Sequence, residues 1–215
     1  GSVVANSNIN FEVRSGEIHA LLGENGSGKS TLMNILSGIY NPDAGHIELF
    51  GKRVSFASPK DSIKAGIGMV HQHFKLVDVL TAKENIIANG CDRLTDGFFT
   101  SGKEMTARIN EIEKKYGLVL DPDKKVYNMS VSEKQTCEIL KVLCRGAKIL
   151  ILDEPAAVLT AQEIRVLFDI LRSMKRQGCS IIIITHKLAE VLEISDRCTI
   201  LRRGQSIKTL NTAET

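Results

Sequence analysis

The feature that most constrains this chain is a glycine-rich segment at residues 23–30, which reads Gly-Glu-Asn-Gly-Ser-Gly-Lys-Ser. An apolar run at residues 18–22 precedes it, and residues 31–36 follow it with the spacing of a helix. The glycines allow the backbone to curl with its N–H groups pointing inward, and the start of the helix adds unpaired donors. A strand, such a loop and a helix together predict a phosphate-binding loop. A turn that binds nothing would account for the glycines but not for this setting.

The polar side chains of this loop have expected roles in binding a nucleotide. Lys29 is placed to contact the outer two phosphates, and the Ser30 hydroxyl is placed to coordinate Mg²⁺. Backbone N–H groups at the other positions would bind phosphate oxygens. The predicted nucleotide-binding residues here are Gly23, Glu24, Asn25, Gly26, Ser27, Gly28, Lys29, Ser30 and Thr31.

Strands alternate with helices along most of the chain, which predicts an α/β fold whose sheet is mostly parallel. Apolar runs at residues 149–152 and 181–184 predict buried central strands, and residues 66–70 predict another. Alternating residues within 1–14 predict a strand pair or strand edge, and residues 47–50 predict a short antiparallel strand. The expected fold is a phosphate-binding core with an antiparallel β edge.

The middle of the chain follows a different pattern. From residue 74 to about residue 129 helical spacing of apolar residues dominates, although polar stretches such as residues 92–97 interrupt it. This segment is expected to form a helical insertion. The chain would then divide into a first core part at 1–73, a helical subdomain at 74–132 and a second core part at 133–215.

Polar residues follow three of the predicted strands at their carboxyl ends. Asp153 and Glu154 end one strand, Gln72 follows another and His186 follows a third. In a parallel sheet these ends meet at one edge, so the four side chains are expected to lie together. We expect Asp153 to bind Mg²⁺ and Glu154 to polarise the attacking water. Gln72 could reach both Mg²⁺ and that water, and His186 could contact the γ-phosphate.

Composition narrows the class of protein. A formal charge of +3 without a polybasic run gives no reason to expect nucleic acid as a partner. The apolar runs are too short for a membrane span and no signal peptide opens the chain, so a membrane role is expected only through partners.

His71 and His73 have no third ligand nearby, which disfavours zinc. Cysteines without C-x-x-C spacing indicate reduced thiols in the cytosol, and four are expected in the core: Cys137, Cys144, Cys179 and Cys198.

These motifs and their order resemble the nucleotide-binding domain of ABC transporters. The matching pieces are residues 23–30 (Walker A), Gln72 (Q-loop), residues 129–133 (the signature), residues 149–154 (Walker B with the catalytic glutamate) and His186 (the switch histidine). The resemblance covers nearly the whole chain. It implies ATP and Mg²⁺ as cofactors, with Lys29, Gln72, Glu154 and His186 in catalysis and with Ser30, Gln72 and Asp153 at the metal.

A narrower resemblance is to the ATPase subunits of bacterial simple-sugar importers. It is carried by the segments that begin at Leu21, Gly66 and Asp153, and the second of these leans toward the branch that imports nucleosides. It implies the first of two such domains in one protein, shortened at both ends. The family's adenine-stacking aromatic would precede residue 1, so we expect weaker ATP binding than with that segment restored.

The resemblance implies that two domains dimerise head to tail. Ser130 and Ser132, at the start of a predicted helix over 133–145, would bind the γ-phosphate of ATP held by a second ABC ATPase domain. Gln135 is placed to close a capping box on Ser132. Four positions depart from the family pattern: Ser132 replaces a glycine, Glu133 and Lys134 replace neutral residues, and Thr160 replaces the aspartate that couples the two sites. Any positive φ at Ser132 would cost about 1 kcal/mol.

The implied function is ATP hydrolysis that powers an importer of simple sugars or nucleosides. The Gln72 loop and the helical insertion would meet transmembrane permease subunits at the cytoplasmic, inner face of the cell membrane. One alternative is a soluble ABC ATPase acting on DNA or ribosomes, which the absence of sustained heptads and the modest charge disfavour. Another is a catalytically idle ATP-binding domain, against which Glu154 and His186 argue.

Overall fold

The computed structural model describes residues 4–88 and 102–214, in which strands and helices are interspersed. In chain order they are β1 (Ile18–Leu22), α1 (Lys29–Leu36), β2 (Ile47–Leu49), β3 (Lys52–Val54), α2 (Pro59–Lys64), β4 (Ile67–Val70), α3 (Ala82–Ala88), α4 (Gly102–Tyr116), α5 (Val131–Cys144), β5 (Ile149–Asp153), α6 (Ala161–Arg176), β6 (Ser180–Thr185), α7 (Leu188–Ile194), β7 (Arg197–Arg202) and β8 (Gln205–Asn211).

The main sheet has the strand order β4-β5-β6-β1-β7-β8. Its first five strands are parallel, and β8 pairs antiparallel with β7 at one edge. A separate antiparallel pair is formed by β2 and β3. These pairings confirm the predicted α/β fold with a mostly parallel sheet and an antiparallel edge.

Strand register brings the carboxyl ends of the central strands to one level. Leu22 at the end of β1 pairs with Thr185 at the end of β6, and Asp153 at the end of β5 pairs with Ile184. Every residue of β6 is buried, because helices cover both faces of a parallel sheet. The polar residues that follow these strands therefore leave the sheet at the same edge.

The helices bury apolar stripes against this sheet. Along α6 the buried residues recur at helical spacing, and a capping box joins Thr160 to Glu163 at the start of the helix. The four cysteines expected in the core are buried, and loss of hydration raises the pKa of Cys137 to about 12. The buried residues of the α6 stripe are Leu167, Phe168, Leu171 and Met174.

Three helices pack together to one side of the sheet. Ala82 and Ile86 of α3 and Ile109 of α4 share one hydrophobic cluster with Cys137 and Leu140 of α5. Their packing agrees with a helical insertion, although residues 92–97 lie outside the described part of the chain. The boundary expected at residue 132 falls inside α5, and the three-part division stays a prediction. Within residues 4–88 and 102–214, no helix combines the length and apolarity needed to cross a membrane.

The prediction of β structure within residues 1–14 is wrong for the described part of that segment. Residues 4–14 form no strand, because their backbone makes isolated hydrogen bonds instead of a ladder, such as that from Ser7 N to Gly204 O at 2.7 Å. Their alternation reflects one-sided packing, since Ile9, Phe11 and Val13 contact the core. Strands β3 and β8 and helix α2 were not predicted.

Leu171 offers a test of this core. It is fully buried in α6, whereas Leu192 in α7 is 48% exposed. We expect Leu171→Ala to lower the free energy of unfolding by about 2–5 kcal/mol, because the lost contacts leave a cavity. Leu192→Ala should lower it by less than about 1 kcal/mol. Chemical denaturation would measure both, and equal losses would contradict the assigned packing.

Candidate functional site

The loop between β1 and α1 presents a cluster of unpaired backbone donors. Gly26 and Gly28 take positive φ angles of 79° and 101°, which turn successive N–H groups toward the same side. Gly28 is the N-cap of α1 and supplies no side-chain acceptor. In the described part of the chain, the amides of residues 25, 26 and 28–31 have no acceptor. Such a cluster at a helix start is suited to bind phosphate oxygens.

The segment before β1 packs against this loop. A Cβ atom at Gly28 would overlap Asn6 Oδ1 and would lie 2.8 Å from Ala5 O. On the other side of the loop, Gly204 N donates to Ser27 O at 2.9 Å. The loop is therefore held between residues 5–6 and the turn of the β7–β8 hairpin.

Lys29 points back into the loop. Its Nζ donates to Gly23 O at 2.7 Å and to Glu24 O at 2.9 Å, and the residue is only 6% exposed. Desolvation lowers the pKa of Lys29, while the nearby charges of Glu154 and Asp153 oppose that shift. A buried ammonium that is held by carbonyl oxygens is a ready partner for an anion.

Three of the side chains predicted at the strand ends meet directly. Glu154 Oε1 lies 2.9 Å from His186 Nδ1, and Gln72 Nε2 donates to Glu154 Oε2 at 3.3 Å. The predicted convergence of Gln72, Glu154 and His186 is confirmed, and Asp153 adjoins them in sequence at the end of β5. His186 is about half exposed, so the group faces solvent next to the loop.

Glu154 is held in an unusual backbone conformation. Its φ is +46°, a left-handed geometry that costs about 1–2 kcal/mol for a residue with a Cβ atom. A hydrogen bond of 2.9 Å from Glu154 N to Ile184 O holds the turn in place. From this turn the carboxylate contacts both Gln72 and His186.

Asp153 and Ser30 carry the oxygen atoms that were expected to bind a divalent cation. Ser30 is exposed in the first turn of α1 and Asp153 is half-buried at the end of β5. Desolvation, followed by the charge of Glu154, raises the pKa of the Asp153 carboxyl, and Lys29 lowers it. Carboxylate and hydroxyl oxygens are the hard donors that suit Mg²⁺.

The predicted signature residues lie apart from the loop, at the start of α5. Ser130 is the N-cap, where its Oγ accepts from Glu133 N at 3.2 Å and its N–H donates to Glu133 Oε2 at 2.7 Å. The capping box expected between Ser132 and Gln135 is therefore wrong, because the helix begins at Val131 and Ser132 already lies inside its first turn. Ser132 has no positive φ, so the strain that such a conformation would cause does not arise.

The acidic side chain in this signature is neutralised locally. Lys124 Nζ contacts both carboxylate oxygens of Glu133, at 2.7 and 2.9 Å. This contact and the Ser130 N–H lower the pKa of Glu133, so the carboxylate is ionised but paired. An anion approaching the start of α5 would thus meet less repulsion than the sequence suggests.

Sequence reasoning missed three residues that contact functional segments. Asn6 packs against Gly28, and Glu138 and Lys141 of α5 bind the backbone just after Gln72. The signal for the pair was present, because opposite charges three residues apart stand in the otherwise apolar stretch 137–144. No local pattern marks Asn6.

The raised pKa of Asp153 generates a stability prediction. Because the folded state binds this proton more tightly than the unfolded state, wild-type stability falls as pH rises above the usual carboxyl pKa. Asp153→Asn should therefore raise the free energy of unfolding at neutral pH by about 0.5–2 kcal/mol, with no gain in acid. Denaturation curves between pH 4 and about 8 measure this. The control is Asp43→Asn at an exposed carboxylate, and an equal gain there would contradict the interpretation.

The amino-acid sequence is similar to those of known import proteins. The chain is 50% identical over 210 residues to the nucleoside import ATP-binding protein NupA of Lactococcus lactis subsp. cremoris, which covers 98% of this chain and 41% of that protein. It is 51% identical over 213 residues to the guanosine import ATP-binding protein NupO of Bacillus subtilis, with coverages of 99% and 41%. The chain thus spans less than half the length of these relatives.

A solved structure shares the fold. It is the dimeric post-hydrolysis state of the ATP-binding cassette MJ0796 bound to ADP and Pi, which superposes with a TM-score of 0.81 at 24% identity. The match covers 97% of this chain and 90% of that one. Residues 6–157 match the sequence profile described as ABC transporter. The chain therefore belongs to the ABC transporter family.

Proposed function

We propose that this chain binds and hydrolyses ATP to power an importer of simple sugars or nucleosides. The observation that carries the proposal is the meeting of Gln72, Glu154 and His186 beside the unpaired amides of the 23–30 loop. That arrangement offers a phosphate cradle and a carboxylate base on one sheet edge. The similarity to NupA and NupO, both import ATP-binding proteins, supports the transport role and favours nucleosides.

Different residues of the site would bind the phosphates and the metal ion of the nucleotide. The loop amides and Lys29 would hold the β- and γ-phosphates, and Ser30, Asp153 and Gln72 would hold Mg²⁺. When bound, Mg²⁺ neutralises the charge that develops on the phosphate oxygens. Lys29 would exchange the two loop carbonyls for phosphate oxygens, which provide a better partner for its positive charge.

Glu154 is the candidate base for hydrolysis. Its contacts with Gln72 and His186 orient the carboxylate. The carboxylate would accept a proton from the attacking water, and His186 would donate to the γ-phosphate or share that proton. Gln72 would orient the water.

A second ATPase domain would complete the site. Ser130 and Ser132 lie at the start of α5, where their hydroxyl groups could donate to an anion held by a partner. The dimeric MJ0796 structure supports such an assembly. Permease subunits would contact the helical insertion and the Gln72 segment, which would keep the chain peripheral to the inner face of the membrane.

Two alternatives make different predictions. A soluble ABC ATPase acting on DNA or ribosomes would be stimulated by nucleic acid, whereas we expect none. An idle ATP-binding domain would bind Mg-ATP without turnover. Phosphate release by the purified chain, with and without added DNA or ribosomes, separates these two from the importer.

Glu154→Gln tests the proposed base. The substitution keeps the shape of the side chain but removes its ability to accept a proton, so phosphate release should fall by at least about 100-fold. ATP binding should remain, and sizing chromatography in Mg-ATP should show a trapped dimer. Glu48→Gln on β2 is the matched control at an exposed carboxylate, and its turnover should be unchanged.

Lys29→Ala tests the cradle. Loss of the ammonium should abolish binding of Mg-ATP at concentrations that saturate the wild type, because no other side chain reaches the loop carbonyls in the described residues. Equilibrium binding with a fluorescent ATP analogue measures this. Normal turnover by this variant would remove the proposed mechanism.

A further inference from the structure

We propose that the buried ion pair between Glu138 and Lys141 of α5 positions the segment that carries Gln72. In this role the pair acts on the hydrolytic centre through Gln72, without touching nucleotide. The inference rests on the proposed function for its catalytic consequence, while its structural half stands on the contacts alone.

The pair forms hydrogen bonds with both backbone polar groups of a single residue, Lys75. Glu138 Oε1 accepts from Lys75 N at 2.6 Å, and Lys141 Nζ donates to Lys75 O at 2.8 Å. Lys141 Nζ also contacts both carboxylate oxygens of Glu138 at 3.1 Å. The spacing of three residues on one helix lets the two side chains reach the backbone of the same residue from one face.

Little else fixes this segment. Across residues 72–76, all of which the structure describes, the backbone makes hydrogen bonds only through Lys75. A cavity of about 200 Å³, lined in part by His71, Lys75, Glu138 and Lys141, opens beside the segment. Leu76 packs against the core, but Gln72 and Lys75 are exposed. The pair is therefore the main restraint on the path of the chain between β4 and Leu76.

The burial of the pair makes it a strong restraint. Each side chain is 7% exposed, and an ion pair so removed from water must be well satisfied to persist. Charge-assisted hydrogen bonds are shorter and stronger than neutral ones, as the 2.6 Å contact to Lys75 N illustrates. Three residues before Lys75, Gln72 contacts the Glu154 carboxylate. A shift of about 1 Å at Lys75 would therefore break the 3.3 Å contact of Gln72.

The same helix also carries the signature. Ser130 caps α5 at one end, and Glu138 and Lys141 lie two to three turns along it. A continuous helix between these points transmits displacement without requiring side-chain rearrangement. The pair thus joins the Gln72 segment of one site to the signature that serves the other site in the proposed dimer.

The test removes the pair while keeping the fold. Replacing a buried ion pair by apolar side chains of similar volume is often neutral for stability, so the double variant is Glu138→Leu with Lys141→Met. The matched control is Asp169→Leu with Arg172→Met, an exposed pair of the same spacing on α6. Thermal unfolding confirms that both variants of the 215-residue chain are folded.

Amide hydrogen exchange followed by NMR reads the restraint directly. We expect exchange at Lys75 to accelerate by at least about tenfold in the double variant, because its N–H loses its acceptor. Amides within α5 and α6 should keep their protection, and the control variant should match the wild type. Unchanged protection at Lys75 would overturn the proposal.

Measurements of ATP hydrolysis then test whether the pair acts through Gln72. We expect kcat to fall by about tenfold while the dissociation constant for an ATP analogue changes by less than about twofold. Gln72→Ala should reduce kcat far less in the double variant than in the wild type. Fully independent effects would overturn the positioning role. Absence of turnover in the wild-type chain would defeat the proposed function but leave the exchange result decisive for the restraint.

Discussion

Parallel strand pairing is the constraint on which the rest of this structure depends. Because β4, β5, β6 and β1 run in one direction with matched register, their carboxyl ends form a single edge. The strands themselves are too apolar and too buried to do chemistry. Each one instead delivers the residues that follow it to the same place, and this explains why groups from residues 23–30, 72, 153–154 and 186 meet.

This edge of the sheet carries charges that are not fully compensated, and their arrangement suits a triphosphate. The loop offers positive amide dipoles and a desolvated ammonium at Lys29, whereas Asp153 and Glu154 repel one another. A polyphosphate with its cation would satisfy both halves, because phosphate oxygens pair with the amides and the cation pairs with the carboxylates. Ionising the desolvated Asp153 carboxyl lowers the stability of the folded state. Such a cost fits a residue whose carboxylate is used for binding.

The parallel core and the strand-end residues could be predicted because their signals are local. Apolar runs fixed the positions of β5 and β6, and the loop pattern needed only eight residues. The path of residues 4–14 could not be predicted, since alternation is the same for a strand and for a chain packed on one side. The capping box failed because Ser130 and Ser132 both fit the pattern, and only the first turn of α5 decides between them.

Longer-range contacts also could not be predicted from the sequence. Nothing near Lys75 indicates that residues more than sixty positions away hold its backbone. The charges at Glu138 and Lys141 signalled a buried pair, but their partner depends on how α5 packs against the end of β4. The neutralisation of Glu133 by Lys124 is similar, since it becomes visible only when the turn before α5 is in place.

The contact between Gly28 and Asn6 has a consequence for how this loop can evolve. Position 28 is closed to larger side chains twice, once by its φ of 101° and once by the neighbouring chain. A replacement there would need a second, simultaneous change at residues 5–6, and even that would leave the unfavourable backbone geometry. Single-step drift is therefore blocked, and sequence variation should accumulate at the exposed positions 24 and 25 instead.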